Sequence, residues 1–412
     1  MADGKVELVQ LGGGGGGAAR PAYGEMPQVG KGTRVEAVYV HVPFCSTKCD
    51  YCDFYSVAGH LGEAEGYLDL MEREAELQLG HFGKALPETI FIGGGTPTLL
   101  EAGQLERLLG ILRKWLDVSG VVEWTVEANP NTFDGEKARV LAAGGVNRVS
   151  FGAQSFLRNE LQVLQRDHDP ESVATAFAAA RAAGIENLNV DLIFGIPGQT
   201  VGSWDYSLGR ALELGSDHVS CYSLMYEPNT GMTARLKRGE VAAMGEDAEL
   251  ELFEHVYMRL REAGYARYEV SNYARPGKEC RHNVHYWKGS NWLALGTAAA
   301  GHVAGWRWKN VAGLGHYGEA VRAGILPATG MERLSAERRA AEIATFWLRL
   351  VEGLEYAEFK ERMGVDARPV LEQVLGEFVE MGLVELSATR AKLTEKAVAV
   401  SDAILRKVVG AF

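Results

Sequence analysis

Short runs of apolar, often β-branched residues recur along the chain from about residue 35. They are nearly all apolar, which is typical of strands that are covered on both faces. Most gaps between them are rich in Ala, Leu, Glu and Arg, as in ESVATAFAAARAAG, and this composition favours helices. The runs are AVYVHVP (37–43), ETIFIGGG (88–95), EWTVEAN (123–129), RVSFGAQS (148–155), LNVDLIFGIP (188–197) and HVSCYSL (218–224).

Six repeats of a strand followed by a helix predict an α/β fold with a parallel sheet and right-handed crossovers. An open doubly wound sheet and a barrel both satisfy this pattern. The polar residues favour the barrel, because most lie at or just after the C-terminal ends of the runs, where such barrels place their chemistry. Six units are too few for a closed eight-stranded barrel. We therefore predict a partial, open (β/α)6 TIM-like barrel over residues 35–245.

Three further regions flank this predicted barrel. Residues 1–34 contain six consecutive glycines, Gly12–Gly17, and are expected to form a flexible tail; no strand or Gly-Lys-Ser/Thr accompanies them to make a phosphate loop. Residues 246–329 begin with an amphipathic helix, are rich in aromatic residues, His and Gly, and are expected to extend the barrel. Residues 330–412 suggest helices, a β-ribbon and a closing helix, which predicts a C-terminal α+β winged-helix-like domain.

Composition and charge exclude some classes of protein. Hydrophobic residues make up 47% and charged residues 23% of the 412, as in ordinary globular proteins. The formal net charge of −12 argues against a general nucleic-acid binder, which needs a basic surface. Arg390, Lys392 and Lys396 lie in the winged-helix-like segment, but acidic residues accompany them. We expect that segment to pack on the barrel or to dock a partner, and not to bind DNA.

The pattern predicts neither secretion nor a stable membrane anchor. No apolar run reaches the length of about 18 residues that a membrane-spanning helix needs. The N-terminus lacks the charged-then-apolar pattern of a signal peptide. The five cysteines form no framework of spaced pairs, which is typical of a reducing compartment. We therefore expect a cytoplasmic protein.

Three of the five cysteines lie within FCSTKCDYCDF (44–54), at Cys45, Cys49 and Cys52. A closed zinc site requires four ligands, and His41 is the nearest candidate for the fourth. An iron–sulfur cubane held by three thiolates keeps an open position on one iron, where a small molecule can bind. Three unligated thiols are the remaining alternative. Cys221 lies in a predicted strand and is expected to be a small core residue, and Cys280, in a polar loop, is a candidate accessory ligand.

The cysteine spacing, with an aromatic residue before the third cysteine and GGGTP on the next strand, resembles the radical S-adenosylmethionine enzymes. Within that superfamily YVHVPFC, VEANP, FGAQSF, DLIFGIPGQT and YEVSNYARPG resemble the oxygen-independent coproporphyrinogen oxidase group, and more closely its heme chaperone branch, the HemW type. The resemblance covers about residues 35–410. It implies a [4Fe–4S] cluster on Cys45, Cys49 and Cys52 and bound S-adenosylmethionine.

The resemblance also implies which residues bind S-adenosylmethionine. Glycines without Cβ atoms let the backbone approach the ligand, and an arginine can pair with the methionyl carboxylate. Considered one at a time, these residues also have purely structural interpretations: the aspartate could cap a loop, and the arginine could be a solvated surface charge. The implied residues are Tyr39, Tyr51, Gly93, Gly94, Gly95, Thr96, Glu127, Gln154, Arg166 and Asp191.

A second motif, HNVHY at residues 282–286, matches the His-Asn-x-x-Tyr motif that the heme chaperones carry. The resemblance implies that His282 is a heme ligand supported by Asn283 and Tyr286, and histidine is a common axial ligand of heme iron. Without the resemblance, a surface loop whose side chains bond to backbone is the simpler interpretation. His285 and His302 are weaker alternatives.

Two functions fit the resemblance. One is a heme chaperone that delivers heme to an apoprotein, with a respiratory membrane enzyme as the implied recipient and transient membrane contact as a consequence. The other is coproporphyrinogen III oxidation through a 5′-deoxyadenosyl radical. Phe54 stands where the oxidases carry a further cysteine, and a glycine-rich tail replaces their N-terminal extension. Both departures favour the chaperone, as a monomer or a dimer.

Overall fold

The structure is a computed structural model that describes residues 22–26, 29 and 33–412. Most of the predicted tail, including Gly12–Gly17, lies outside the described residues. Within the described part of the tail, the Gly24 amide donates to the Ala328 carbonyl at 3.0 Å, so this stretch contacts the main sheet.

The N-terminal half of the chain alternates strands and helices, as predicted. Its strands are β1 (Ala37–Val42), β2 (Phe44–Cys45), β3 (Val57–Ala58), β4 (Thr89–Gly94), β5 (Glu123–Ala128), β6 (Arg148–Gln154), β7 (Asn187–Phe194) and β8 (His218–Ser223). Its helices are α1 (Ala64–Phe82), α2 (Ala102–Trp115), α3 (Gly135–Ala143), α4 (Arg158–Val163), α5 (Pro170–Ala182), α6 (Val201–Glu213), α7 (Gly231–Lys237) and α8 (Glu246–Glu262). Short 3-10 helices cover Leu61–Glu63, Pro97–Leu99, Val118–Gly120 and Pro130–Thr132.

Six of these strands form the partial barrel. They pair in the order β1-β4-β5-β6-β7-β8, and every neighbouring pair is parallel. Among the described residues the two ends of this sheet do not pair with each other, so the barrel is open. The predicted α/β class and the partial (β/α)6 barrel are therefore confirmed.

The barrel strands separate apolar from polar side chains by their two-residue period. In β1, Val38, Val40 and Val42 are buried in the main apolar cluster together with residues of the surrounding helices. Tyr39 and His41 alternate with them and face the barrel interior. This alternation leaves the interior polar, which prepares it to hold a ligand.

Residues after α8 add strands to both edges of the sheet. β9 (Ala266–Arg267) and β10 (Asn272–Ala274) pair antiparallel beside β8, whereas β11 (Trp292–Leu295) is parallel to β1 and leads into three antiparallel strands. The added elements are β9 (Ala266–Arg267), β10 (Asn272–Ala274), α9 (Arg281–Trp287), β11 (Trp292–Leu295), β12 (Ala300–Val303), β13 (Trp306–Asn310), α10 (Leu314–Arg322) and β14 (Ala328–Arg333). The predicted boundary at residue 330 falls inside β14, and the predicted domain limits stay predictions.

The C-terminal segment has its own apolar cluster and a three-stranded antiparallel sheet in the order β15-β17-β16. Its elements are α11 (Ala336–Trp347), β15 (Leu354–Glu355), α12 (Tyr356–Met363), α13 (Arg368–Glu380), β16 (Val384–Leu386), β17 (Arg390–Leu393), a 3-10 helix (Glu395–Val400) and α14 (Ser401–Val409). This arrangement is the predicted winged-helix-like shape. Ion pairs Arg307–Glu342 and Arg267–Glu395 dock it on the extended sheet.

Within the described ranges, none of the helices combines the length and the apolar character that crossing a membrane requires.

Candidate functional site

The three clustered cysteines lie just beyond the C-terminal end of β1. Cys45 ends β2, which pairs with β3, and the other two lie in the turn that follows, where the Cys52 amide donates to the Cys49 carbonyl at 3.1 Å. All three are partly exposed and none forms a disulfide. Cys221 is buried in β8, as predicted for a core residue.

Hydrogen-bond donors reach two of the three sulfurs. The Thr96 hydroxyl lies 3.7 Å from Cys45 Sγ, and Arg166 Nη1 lies 3.5 Å from Cys49 Sγ. Burial raises the pKa of Cys45, and it raises the pKa of Cys52 to about 11. Without a metal these two thiols therefore stay protonated at neutral pH, and a bound metal would supply the positive charge that stabilises their thiolates.

The residues around the cysteines fit an open cluster better than a closed zinc site. His41, the candidate fourth ligand of the zinc alternative, has both ring nitrogens occupied: Nδ1 bonds to the Tyr39 hydroxyl at 3.0 Å and Nε2 to the Tyr55 carbonyl at 2.9 Å. Within the described residues, no three His, Cys, Asp or Glu side chains form a group that could hold a single metal ion. A cubane has no such requirement, because each thiolate binds a different iron.

The glycine segment after β4 packs directly against the start of the cysteine loop. A Cβ on Gly95 would lie 2.6 Å from the Phe44 carbonyl oxygen, and a Cβ on Gly94 would lie 2.5 Å from the His41 ring. Gly94 also has φ +109°, a conformation that side chains disfavour. The Thr96 amide donates to the Phe44 carbonyl at 2.7 Å. The predicted glycines therefore bring two backbone segments close together beside the cysteines.

Two carboxylates enter the site from neighbouring regions of the sheet. Glu127 Oε2 accepts from the Gly94 amide at 3.1 Å, and burial, with the negative Asp191 nearby, raises the pKa of Glu127 to about 7. Asp191 accepts from Ser150 Oγ at 2.9 Å and from Asn189 Nδ2 at 2.8 Å, and its pKa is raised by burial. The two acids favour a cationic ligand, which would stabilise their charged forms.

Gln154 and Arg166 face each other across a bulge at the end of β6. The register with β7 shifts between Gly152 and Gln154, and Gln154 has φ +63°. Arg166 donates to the Gly152 carbonyl as well as to Cys49 Sγ. The arginine predicted to meet a ligand carboxylate is therefore held beside the cysteine loop by two protein contacts.

These residues surround a cavity of about 360 Å³ at the C-terminal ends of the barrel strands, within the usual range for small-molecule sites. The cavity brings together most of the predicted site, namely Cys45, Cys49, Cys52, Tyr51, Gly94, Gly95, Thr96, Glu127, Gln154, Arg166 and Asp191. Tyr39 does not line it; its hydroxyl bonds to His41 and its ring stacks on Phe91, with centroids 6.4 Å apart.

The cavity also contains residues that sequence reasoning missed. Ser150 and Tyr222 line it from β6 and β8, and Glu227 lines it from the loop after β8. Ser150 precedes Gly152 by two positions and so faces the same side of β6. The two-residue period of the strands predicts that Ser150 and Tyr222 face the cavity. Glu227 lies in a loop, so no strand pattern predicts its position.

The HNVHY motif lies at the other end of the barrel. Its helix, α9, packs against the first residues of the barrel strands: Glu123 Oε2 accepts from the Arg281 amide at 2.9 Å, and Glu123 Oε1 from the His282 amide at 3.0 Å. The structure therefore separates the predicted heme residues from the cysteine site. Cys280, a candidate accessory ligand in the sequence, also lies here, with Sγ 3.5 Å from Glu123 Oε1, and so is not a ligand at the cysteine site.

His282 is buried, and both of its ring nitrogens have partners. Nδ1 bonds to Thr89 Oγ1 at 2.9 Å and Nε2 to the Tyr286 hydroxyl at 2.9 Å. Burial lowers the pKa of His282 to about 3, so the ring is neutral at physiological pH. Asn283 is half-buried. Both nitrogens of His282 have partners in this conformation, and its role as a heme ligand stays a prediction. The alternative surface-loop interpretation is wrong, because His282 is buried in a helix.

Comparison with known proteins gives a consistent picture. The radical SAM superfamily model matches residues 39–208, and the HemN C-terminal domain model matches residues 334–400. The heme chaperone HemW of Mycobacterium tuberculosis strain H37Rv is 38% identical over 376 residues, which are 90% of this chain and 94% of the relative. The heme chaperone HemW of Bacillus subtilis is 34% identical over 363 residues, covering 88% and 96%.

One solved structure shares the fold over nearly the whole chain. It is the coproporphyrinogen III oxidase HemN from Escherichia coli, described as a radical SAM enzyme, with a TM-score of 0.79 and 23% sequence identity. The match covers 91% of this chain and 90% of the other. At this identity the likeness is one of fold.

Gly94→Ala tests whether the close approach of β4 to His41 requires glycine. We expect the new methyl group to lower the free energy of unfolding by about 1–3 kcal/mol beyond the left-handed backbone cost, because it meets a buried ring. Gly264→Ala is the matched control, since Gly264 has φ +83° with nothing near its Cβ position. Urea unfolding of both variants measures the difference, and equal losses would contradict the steric argument.

Proposed function

The chain belongs to the radical SAM superfamily and, within it, to the heme chaperones named HemW, and on this basis we propose that it binds a [4Fe–4S] cluster, S-adenosylmethionine and heme and delivers heme to an apoprotein. A respiratory enzyme is the recipient class that we propose. The observation that carries the cluster assignment is the set of three partly exposed cysteines beside a cavity, with both ring nitrogens of His41 already bonded elsewhere.

We assign the cluster to Cys45, Cys49 and Cys52, which would bind three of its irons. When bound, the cluster supplies a one-electron centre with one iron open to a further ligand. Thr96 and Arg166 are placed to donate to two of the thiolates. Such donors lower the charge density on sulfur and tune the reduction potential of iron–sulfur centres.

S-adenosylmethionine would occupy the cavity beside the cysteines. It carries a positive sulfonium and a positive ammonium group, and acidic side chains predominate in the lining: Glu127, Asp167, Asp191 and Glu227 against Lys48 and Arg166. The remaining proposed contacts are Tyr51, Gly94, Gly95, Thr96 and Gln154, which line the same cavity. Tyr39 does not line the cavity and would act through His41, because its hydroxyl bonds to His41 Nδ1 and orients that ring.

Heme binding is proposed from the family, with His282 as the candidate ligand. Because the Tyr286 hydroxyl occupies Nε2 and Thr89 occupies Nδ1, ligation by His282 requires that one of these two bonds break. Tyr286 would then control access to the ligand atom, and Asn283 would support the exposed motif.

Coproporphyrinogen III oxidation is the alternative function, favoured by the fold that the chain shares with HemN. Against it, the side chain of Phe54 lines the cavity mouth and is 65% exposed, at the position where the oxidases carry a further cysteine.

The affinity for S-adenosylmethionine should depend on the charge of Glu127. The pKa of this carboxyl is raised to about 7 by burial and by Asp191 of β7, with Arg148 of β6 opposing the shift, so the carboxylate is charged above that pH and neutral below it. We expect the dissociation constant of reconstituted protein to increase as pH falls from about 8 to about 6. Glu127→Gln should bind weakly and lose this pH dependence.

Asp191→Asn provides the matched control for the pH profile. Removing the neighbouring negative charge should lower the pKa of Glu127 and move the midpoint of the binding curve to lower pH. Calorimetric titration across the pH range measures both effects. An unchanged profile in Glu127→Gln would assign the titration to another group.

His282→Gln and Tyr286→Phe separate a heme ligand from a structural histidine. If His282 ligates heme, His282→Gln should lower heme affinity about tenfold or more, because it removes the iron ligand. Tyr286→Phe should keep or increase the affinity, because it releases Nε2. Heme titration by absorbance and the iron content of the cluster are measured on both variants. Unchanged heme affinity in His282→Gln, with only a lower unfolding temperature, would make this residue structural.

A parallel anaerobic assay decides between chaperone and oxidase. Reconstituted protein is offered heme or coproporphyrinogen III, and 5′-deoxyadenosine is measured in both reactions. We expect stoichiometric heme uptake and no decarboxylated porphyrinogen. Conversion of coproporphyrinogen III at enzyme-like rates would contradict the chaperone assignment.

A further inference from the structure

Asp50 lies between two of the proposed cluster ligands and is held by a residue far away in the sequence. Its Oδ2 accepts from Arg235 Nη1 at 2.9 Å. The two side chains are 24% and 21% exposed, so this ion pair is shielded from much of the solvent. The same Arg235 nitrogen donates to the Val163 carbonyl at 2.7 Å, at the end of α4. Arg235 therefore joins the cysteine loop to two helices.

A backbone contact strengthens this attachment. The Met232 amide, in the first turn of α7, donates to the Asp50 carbonyl at 2.8 Å. A Cβ on Gly231 would overlap the Asp50 carboxylate, so α7 approaches the loop as closely as a glycine allows. Both the main chain and the side chain of Asp50 are thus fixed by one short helix.

The neighbouring loop residue is anchored to the same surface. Tyr51 packs on a small apolar cluster that is separate from the main core and includes Met232 of α7. The other members of that cluster are Leu164, Ile193, Ile196 and Leu224. Asp50 and Tyr51 are therefore docked, while the cysteines on either side, Cys49 and Cys52, line the cavity.

The first cysteine is held by different contacts. Cys45 pairs through β2 with β3, and its sulfur accepts from Thr96. Loss of Arg235 should consequently loosen Cys49 and Cys52 and leave Cys45 in place, with Arg166 remaining as the donor to Cys49 Sγ. This difference provides an internal control within one loop.

We propose that Arg235 is a positioning residue for the cluster: through Asp50 it holds Cys49 and Cys52 in a near-binding arrangement before any iron arrives. The inference rests on the proposed cluster site. An ordered loop pays less conformational entropy when the metal binds, so the ion pair increases cluster affinity without touching the cluster.

The test uses the metal-free full chain and measures alkylation of each cysteine by iodoacetamide with peptide mass spectrometry. Arg235→Met and Asp50→Asn should each increase the rates at Cys49 and Cys52 about three- to tenfold and leave Cys45 unchanged. Arg235→Lys should have a smaller effect because it keeps the charge. Arg238→Met is the matched control, since Arg238 lies in the same segment and pairs with Glu240.

The direction of the change excludes a purely electrostatic cause. Removing the positive Arg235 disfavours thiolates and would slow alkylation, whereas removing the negative Asp50 would accelerate it. Release of the loop accelerates both. Wild-type rates in Arg235→Met, or equal acceleration at all three cysteines, would overturn the proposal. If Arg235→Met fails to fold, Arg235→Lys replaces it: this variant keeps the positive charge, so acceleration at Cys49 and Cys52 but not at Cys45 would still report release of the loop.

Anaerobic reconstitution provides the second readout. Arg235→Met should retain several-fold less iron and sulfide after gel filtration than Arg238→Met, and equal retention would contradict the proposal. If the wild-type chain itself took up no cluster, the proposed function would fail, whereas the alkylation rates would still report whether Arg235 orders the loop.

Discussion

The contact between the glycine segment of β4 and the backbone that leads into the cysteine loop determines the geometry of the whole site. The Gly95 amide donates to the Val42 carbonyl at 2.8 Å, and the Thr96 amide donates to the Phe44 carbonyl at 2.7 Å. No side chain fits between the two segments, so Cys45 begins the loop directly over the mouth of the barrel. Because Thr96 ends the same segment, one backbone contact places both Cys45 and the hydroxyl that donates to its sulfur.

The polar interior of the barrel follows from the two-residue period of its strands, which directs alternate side chains into the barrel. A ligand that reaches the cysteines must enter the barrel mouth, where inward positions carry carboxylates instead of apolar groups. Burial raises the pKa of both Glu127 and Asp191, which means that the protein holds the charged forms of these groups at an energetic cost. A cationic ligand would offset that cost. Its binding would in turn lower the pKa values of both carboxyls, because the binding and the two titrations are thermodynamically linked.

The sequence predicts the fold and the cysteine loop better than it predicts contacts between residues that are far apart in the chain. The six strands and the clustered cysteines follow from local patterns, since period, spacing and glycine runs are visible in short windows. The position of α9 does not follow, because the bonds between Glu123 and the amides of Arg281 and His282 join residues about 160 positions apart. His282 consequently looked like a loop residue in the sequence, although its ring is buried with two partners. Arg235 was missed for the same reason, since its partner Asp50 is equally remote.

The contacts at the two ends of the barrel differ, and this difference determines what ligand binding at each end would require. At the cysteine end, side chains converge on open space, and the loop is attached by a few contacts around Asp50. At the base, Glu123 accepts from the His282 amide, and Thr89 and Tyr286 bond to its two ring nitrogens. Exposing His282 would leave Glu123 without two amide donors inside the barrel, at a cost comparable to that of an unpaired buried charge. A heme site at His282 therefore needs binding energy that replaces those bonds, whereas a ligand at the cysteine end meets a cavity that is already formed.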